Sequence, residues 1–145
     1  MSKVGRRAVV EGFDLGLGLS RIRGGNPNSL LDFARANDTK IYGVYGKGED
    51  IRLFDNVMPE YDVLERNLNF VFDKSNNIRF NLDGINDVSE AVRLGGKGTN
   101  YKYDLNDLPT SNVTNWELNR IFNDQKLMDK TMFYRNGQKV EVPKF

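Results

Sequence analysis

The sequence predicts a small single-domain α/β fold over residues 1–145, with a sheet, flanking helices and a C-terminal β-hairpin. Segments with the periodicity of strands and of helices alternate as far as residue 94, which is typical of an α/β arrangement. Asn136-Gly137 stands between two short strand-like runs and is a strong hairpin signal. No linker or internal repeat interrupts the chain, and 145 residues is an ordinary size for one domain.

The beginning of the chain combines a short apolar run with many glycines. Residues 8–10 predict a strand, and residues 12–26 predict a glycine-rich loop. Asn26 suits the N-cap of a helix, and Pro27 suits the first helical position, where its missing N–H costs nothing. A helix is therefore expected from this point to about Asn37.

The middle of the chain alternates strand and helix patterns. Residues 40–45 predict a strand, and apolar residues at steps of three or four predict a long amphipathic helix near 58–73. Alternating apolar side chains over residues 78–82 predict a second strand with one strongly apolar face. The Asp-x-x-Glu pattern at 87–90 predicts a short helix, and the polar residues 95–112 predict a long loop.

The end of the chain carries two local signals. Thr114 and Glu117 are spaced as a capping box, which predicts a helix that begins at Thr114. The cap is a sufficient reason for Glu117, but a carboxyl group beside Trp116 is also retained as a candidate catalytic acid. A two-residue turn at Asn136-Gly137 places Phe133 opposite Val140.

The composition restricts the chemistry. The chain has no histidine and no cysteine, which excludes Cys/His zinc sites, Ser-His-Asp and Cys-His nucleophiles, and zinc deaminase chemistry. Any general acid or base must be Asp, Glu, Lys or Tyr, and a magnesium ion held by carboxylates stays possible. The net charge is +1, so the chain does not have the basic excess of a dedicated nucleic-acid binder. No apolar run is long enough to span a membrane.

The first candidate site is the glycine-rich segment that runs into a predicted helix. Backbone N–H groups at Gly24, Gly25 and Asn26 are candidates for binding a phosphate or another anion at the helix start. Arg21 and Arg23 are candidate catalytic residues that would contact phosphate with their guanidinium groups. A glycine-rich turn with two solvated arginines explains the same residues.

Two further candidate groups follow the apolar strand. Asn81 and Asp83 lie at its carboxyl end, where open α/β sheets bind ligands; Asp83 is a candidate catalytic carboxylate and Asn81 a substrate contact. A simple Asp-Gly turn explains Asp83 equally well. Lys97 and Tyr101 place basic and aromatic side chains on a loop, a pattern suited to single-stranded nucleic acid. A solvated surface loop is the alternative.

Three stretches of the second half carry a more specific resemblance: Ile78-Arg-Phe-Asn-Leu-Asp-Gly-Ile, Val113-Thr-Asn-Trp-Glu-Leu-Asn-Arg-Ile and Lys130-Thr-Met-Phe-Tyr-Arg-Asn-Gly-Gln. Over residues 76–145 the chain resembles the extreme C-terminal domains of Rhs/YD-repeat polymorphic toxins. The resemblance implies a toxin tip that is secreted or delivered into the cytoplasm of a neighbouring cell and is blocked by a cognate immunity protein. The resemblance implies the architecture and the biological setting, but no catalytic motif of the family can be matched residue by residue.

The leading hypothesis is a histidine-independent nuclease acting on RNA or DNA. The alternatives are an NAD-directed enzyme, either an NAD hydrolase or an ADP-ribosyltransferase, and a non-enzymatic interaction module. No cofactor is specified by the sequence, and whether the domain is an enzyme stays open at this point.

Overall fold

A computed structural model describes residues 12–42, 50–53, 61–100 and 112–145. Its centre is a four-stranded sheet in the order β1-β2-β3-β4. The first three strands run parallel to one another, and β4 returns antiparallel to β3. This mixed sheet with a terminal hairpin confirms the predicted α/β class. The strands are β1 (Asp14–Gly18), β2 (Asn77–Asn81), β3 (Thr131–Arg135) and β4 (Gln138–Val140).

Helices occupy most of the remaining described chain. The predicted long amphipathic helix is confirmed as α2, and the short helix predicted from the Asp-x-x-Glu pattern is confirmed as α3. Asp87 caps α3 by accepting a hydrogen bond from the backbone N–H of Glu90 at 3.0 Å. The helices are α1 (Ser29–Asn37), α2 (Tyr61–Lys74), α3 (Val88–Gly95), α4 (Asn112–Phe122) and α5 (Gln125–Asp129).

Two short segments extend the sheet beyond β1. Lys40 forms a parallel bridge with Leu15, and Ile41 forms a parallel bridge with Arg52. Of the strand predicted over residues 40–45, Lys40 and Ile41 form only isolated bridges, and residues 43–49 lie outside the described chain. The strand predicted at residues 8–10 also lies outside it.

One face of the sheet carries the hydrophobic core. Phe133 of β3 lies 5.6 Å from Phe122 of α4, measured between ring centroids, and Phe72 of α2 stacks on Trp116 of α4 at 6.0 Å. Helices α2 and α4 therefore cover this face together. The strand residues that build it are fully buried: Leu15, Leu17, Ile78, Phe80 and Phe133.

The opposite face of the sheet is covered by α1. Phe33 of α1 meets the ring of Tyr134 edge-on at 5.3 Å, and Ser29 lies within hydrogen-bonding distance of Asn81. Gly16 allows this close approach, because a Cβ atom at that position would collide with the hydroxyl of Thr39. The sheet thus lies between α1 on one side and α2 with α4 on the other.

The glycine-rich segment is not a loop along its whole length, contrary to the prediction. Gly16 and Gly18 belong to β1, where Leu15 and Leu17 alternate with them and are buried. The alternation of leucine with glycine is the period-two pattern of a strand. Gly16 leaves room for Thr39, which follows α1, and Gly18 leaves room for the backbone of Asn81 in β2. Residues 12 and 13 precede the strand, and loop 20–28 follows Leu19 and leads to α1.

The predicted start of α1 is wrong by two residues. The helix begins at Ser29, after Asn28. Asn26 accepts a hydrogen bond from the N–H of Asn28 at 2.8 Å and so closes a local turn that contains Pro27. Asparagine followed by proline therefore marks a turn here, because the side chain bonds to the backbone two residues on.

The predicted capping box of α4 is also wrong. The helix already includes Asn112, so Thr114 and Glu117 lie inside it, and both side chains are buried. A spacing of three residues fits a capping box and also fits one face of a helix that is under way. The predicted hairpin, in contrast, is confirmed: Phe133 pairs with Val140, and Asn136 and Gly137 have φ of 54° and 78°.

Candidate functional site

Loop 20–28 connects β1 to α1 and presents both candidate arginines at the surface. Arg21, Arg23, Gly24 and Gly25 are all exposed. Ile22 points the other way and packs against the hydrophobic core. The apolar anchor between them therefore holds the two arginines on the outer side of the loop.

The loop adjoins the carboxyl end of β2. Leu19 and Ile22 pack so closely on Gly84 that a Cβ atom there would lie 2.9 Å from Leu19 Cδ1 and 3.1 Å from Ile22 Cγ1. Gly84 also has a φ of +85°, which glycine adopts without strain. The two predicted candidate sites, the arginine-bearing loop and the segment around Asp83, thus meet where the carboxyl ends of the parallel strands lie. Ligands of open α/β sheets bind at such edges.

Asp83 connects β2 to the hairpin. Its Oδ1 atom accepts a hydrogen bond from the backbone N–H of Asn136 at 2.7 Å. Arg135, beside Asn136, donates to the carbonyl oxygens of Leu82 and Ile85, each at 3.0 Å. The carboxylate is half-buried, so one oxygen is held in place by the hairpin while the group keeps access to solvent.

Asn81 lies below this edge and is only 3% exposed. Its Oδ1 accepts a hydrogen bond from the N–H of Asp83 at 3.1 Å, and its Nδ2 lies 3.4 Å from the hydroxyl oxygen of Ser29. These contacts orient the turn that carries Asp83 and connect it to the start of α1. The structure therefore gives Asn81 a positioning role beneath the surface.

The backbone of the loop folds partly on itself. Gly25 donates its N–H to the carbonyl of Ile22 at 2.9 Å, and Ile22 donates to the carbonyl of Asn26 at 3.1 Å. The N–H of Gly25 is thus already used within the loop. Gly24 has a φ of +70°, a backbone conformation that glycine adopts without strain. Of the three backbone N–H groups predicted to bind an anion, that of Gly25 therefore has a partner inside the loop.

Glu117 lies away from these residues. It is on α4, which covers the opposite face of the sheet from α1, and it is 5% exposed. Burial raises the pKa of its carboxyl group to about 8, with desolvation as the sole cause. The structure therefore separates Glu117 from Arg21, Arg23 and Asp83, and the carboxyl group is protonated at neutral pH.

The third candidate group consists of Lys97 and Tyr101, and the structure describes only the first of these residues. Lys97 is exposed just after α3 and donates its N–H to the carbonyl of Leu94 at 3.0 Å. Tyr101 lies outside the described residues. Nearby Thr99 is buried and donates to Glu65 of α2 from its N–H, at 3.1 Å, and from its hydroxyl, at 2.7 Å. The described part of this loop is thereby fixed to α2.

A polar cluster on the α1 face of the sheet did not emerge from the sequence. Arg79 Nη1 donates to the hydroxyl of Tyr134 at 2.6 Å, and Arg79 Nε lies 3.7 Å from a carboxylate oxygen of Asp14. Asn77 donates to the other oxygen of Asp14 at 3.2 Å. The signal was present as Arg79 on the polar side of an alternating strand, but the four residues of the cluster come from three different strands. Tyrosine and aspartate are among the proton donors and acceptors open to a histidine-free chain.

The described residues contain no group of three or more acidic side chains that could hold a metal ion. None of the helices in these ranges is long and apolar enough to cross a membrane. The candidate site is therefore described by its arginines and its single strand-end carboxylate.

Comparison of the chain with protein-family models, with curated proteins and with solved structures finds no match. The resemblance over residues 76–145 to polymorphic toxin tips accordingly stays a prediction. Because one fold can host many functions, the function has to be argued from the site itself.

Proposed function

We propose that this domain is the effector tip of an interbacterial polymorphic toxin and that it cleaves RNA or DNA. The observation that carries the proposal is the meeting of loop 20–28 with the turn of Asp83 at the carboxyl ends of β1 and β2. This arrangement joins permanently charged groups for phosphate with a carboxylate held by a defined hydrogen bond.

The exposure of the loop supports a polymer as the substrate. Arg21 and Arg23 are exposed, and a nucleic-acid backbone would contact their guanidinium groups from the solvent side. Small cofactors such as NAD are usually bound in clefts that enclose most of the ligand. Guanidinium groups suit phosphate because they form two parallel hydrogen bonds to it and keep their charge.

For RNA the chemistry needs no group that the chain lacks. The carboxylate of Asp83 takes the proton of a ribose 2′-hydroxyl, and the 2′-oxygen attacks the neighbouring phosphorus. The bond from phosphorus to the 5′-oxygen breaks, and that oxygen receives a proton from water, which leaves a 2′,3′-cyclic phosphate. Arg21 and Arg23 stabilise the negative charge that builds up on the phosphorane, as electrostatic catalysis requires.

The setting follows from the resemblance of residues 76–145. A toxin tip would be delivered into the cytoplasm of a target cell, and the producing cell would be protected by a cognate immunity protein. Such a partner would cover the loop with acidic side chains, because complementary charge on the two surfaces favours rapid and specific association.

The test is incubation of the purified domain with total tRNA, single-stranded RNA and plasmid DNA, with and without magnesium. We expect cleavage of at least one substrate, and loss of that cleavage in the double variant R21A/R23A. R93A is the matched control, because Arg93 is an exposed arginine on α3. Intact substrates under every condition would refute the nuclease proposal, and consumption of NAD by the wild-type domain would favour the NAD-directed alternative.

A further inference from the structure

Arg52 lies at the outer edge of the sheet, beyond β1. Its backbone is fixed by the neighbouring segment: Ile41 donates its N–H to the carbonyl of Ile51 at 3.0 Å, and Leu53 donates to the carbonyl of Ile41 at 2.9 Å. The bridge between Ile41 and Arg52 therefore determines where the arginine side chain begins.

This side chain is buried without a counter-charge among the described residues. Arg52 is 8% exposed, and its Nε and Nη1 atoms are buried with no hydrogen-bond partner in the described chain. Asp50, two residues away, is 81% exposed at its side chain and bonds to Arg35 at 3.1 Å. The nearest described carboxylate in the sequence is thus engaged elsewhere.

An unmatched buried guanidinium is a costly arrangement. Moving one charge out of water is strongly unfavourable unless an opposite charge or hydrogen bonds compensate. Lysine or histidine can escape this cost by losing a proton, but arginine cannot. A buried arginine therefore calls for an anionic group at its donors.

The positive charge of Arg52 acts on the buried side chain of Tyr42. Burial raises the pKa of the Tyr42 hydroxyl, while the side chain of Asn67 and the positive charge of Arg52 oppose this shift. The charge of Arg52 therefore acts on the Tyr42 hydroxyl at this edge of the sheet. The Nε and Nη1 atoms of Arg52 are the buried donors that an anionic group would satisfy.

We propose that Arg52 is the anchor of an anion-binding site that takes the phosphate or carboxylate group of a small ligand through its buried Nε and Nη1 atoms. The site is distinct from the arginines of loop 20–28, and it stands whether or not the domain is a nuclease. The ligand supplies the acceptor atoms that the described chain does not.

Thermal unfolding in inorganic phosphate and in chloride at matched ionic strength tests the proposal. We expect the Tm of the wild-type domain to rise with phosphate and to level off, as saturable binding to the folded state requires. The variant R52M should lose this rise, and the control R93M should keep it. A rise that does not saturate and is equal in all three proteins is the general effect of excluded salts, and it would overturn the proposal.

A second measurement on the wild-type protein covers the case in which R52M does not fold. In a domain labelled with ¹⁵N-arginine, phosphate should shift the Nε–Hε signal of Arg52 in a saturable way, and sulfate or acetate should compete. If no arginine signal moves, or if only those of Arg21 and Arg23 move, the site is not at Arg52. The second of these results would leave the proposed nuclease surface in place.

Discussion

The Oδ1 atom of Asp83 accepts a hydrogen bond from the backbone N–H of Asn136 at 2.7 Å, across 53 residues of sequence. The bond joins the end of β2 to the turn of the terminal hairpin. It fixes the direction of the carboxylate at the edge where loop 20–28 arrives. Asp83 therefore has a structural contact and a proposed chemical role, and the two can be separated by substitution.

The variants D83N and D83A distinguish these roles. Asparagine retains an oxygen that can accept the N–H of Asn136, so D83N should unfold at nearly the wild-type denaturant concentration. Alanine leaves that N–H without its partner, and D83A should lose about 1 kcal/mol of stability. Both variants should lose nuclease activity, since both lack the carboxylate. Full activity in a folded D83N would show that Asp83 acts only as a structural residue.

Glu117 should make the stability of the domain depend on pH. Its pKa is about 8 when folded and 4.5 in its ordinary environment, so the unfolded chain gives up the proton first as pH rises. The free energy of unfolding should therefore fall between these two pH values, by about 1.4 kcal/mol for each pH unit. Below pH 4.5 the side chain of Glu117 is protonated in both the folded and the unfolded state, so its full contribution to stability is present.

The matched variant is E117Q, which keeps the shape of the protonated side chain and cannot ionise. Urea denaturation at several pH values should show E117Q close to wild type in acid and increasingly more stable than wild type as the pH approaches 8. A constant difference between the two proteins across this range would mean that Glu117 is not buried in the way described.

Gly95 is required where α3 meets α4. A Cβ atom there would collide with the backbone carbonyl of Asn115, and backbone cannot move aside as a flexible side chain can. G95A should therefore be destabilised by about 1–3 kcal/mol or fail to fold. G96A is the control, since its Cβ would lie 3.4 Å from the nearest atoms and its φ is −66°. Equal stability of the two variants in chemical denaturation would contradict the described helix packing.

Tyr134 tests whether the polar cluster on the α1 face takes part in catalysis. The variant Y134F removes the hydroxyl that accepts from Arg79 and keeps the ring that meets Phe33. We expect a loss of about 1 kcal/mol in stability and no change in nuclease activity, because the proposed site lies on loop 20–28. Loss of activity in a stable Y134F would move the active site to Arg79, Tyr134 and Asp14.

The features that the sequence predicted correctly are local. Asn136-Gly137 demands positive φ at two successive positions, and Asp87 bonds to a backbone N–H three residues away. Such signals are complete within a few residues, so the hairpin and α3 could be read directly. The period-two pattern of Ile78 and Phe80 likewise identified the central strand.

The features that the sequence did not yield depend on partners far along the chain. Gly16 is glycine because Thr39 packs against it, and Glu117 is buried because α4 begins earlier than its capping pattern indicated. The bond between Arg79 and Tyr134 joins residues 55 positions apart. For the candidate site, the sequence identified Arg21 and Asp83 as candidate residues. It did not show that Ile22 packs on Gly84, the contact that places loop 20–28 beside the turn of Asp83.

The most direct test of the proposed function is the rate of nucleic-acid cleavage by the wild-type domain and by R21A/R23A, with folding checked by circular dichroism. We expect the wild type to cleave RNA or DNA and the double variant, although folded, to cleave at least a hundredfold more slowly, on the order of 3 kcal/mol of lost transition-state stabilisation. Equal rates in the two proteins, or no cleavage by the wild type, would contradict the proposal.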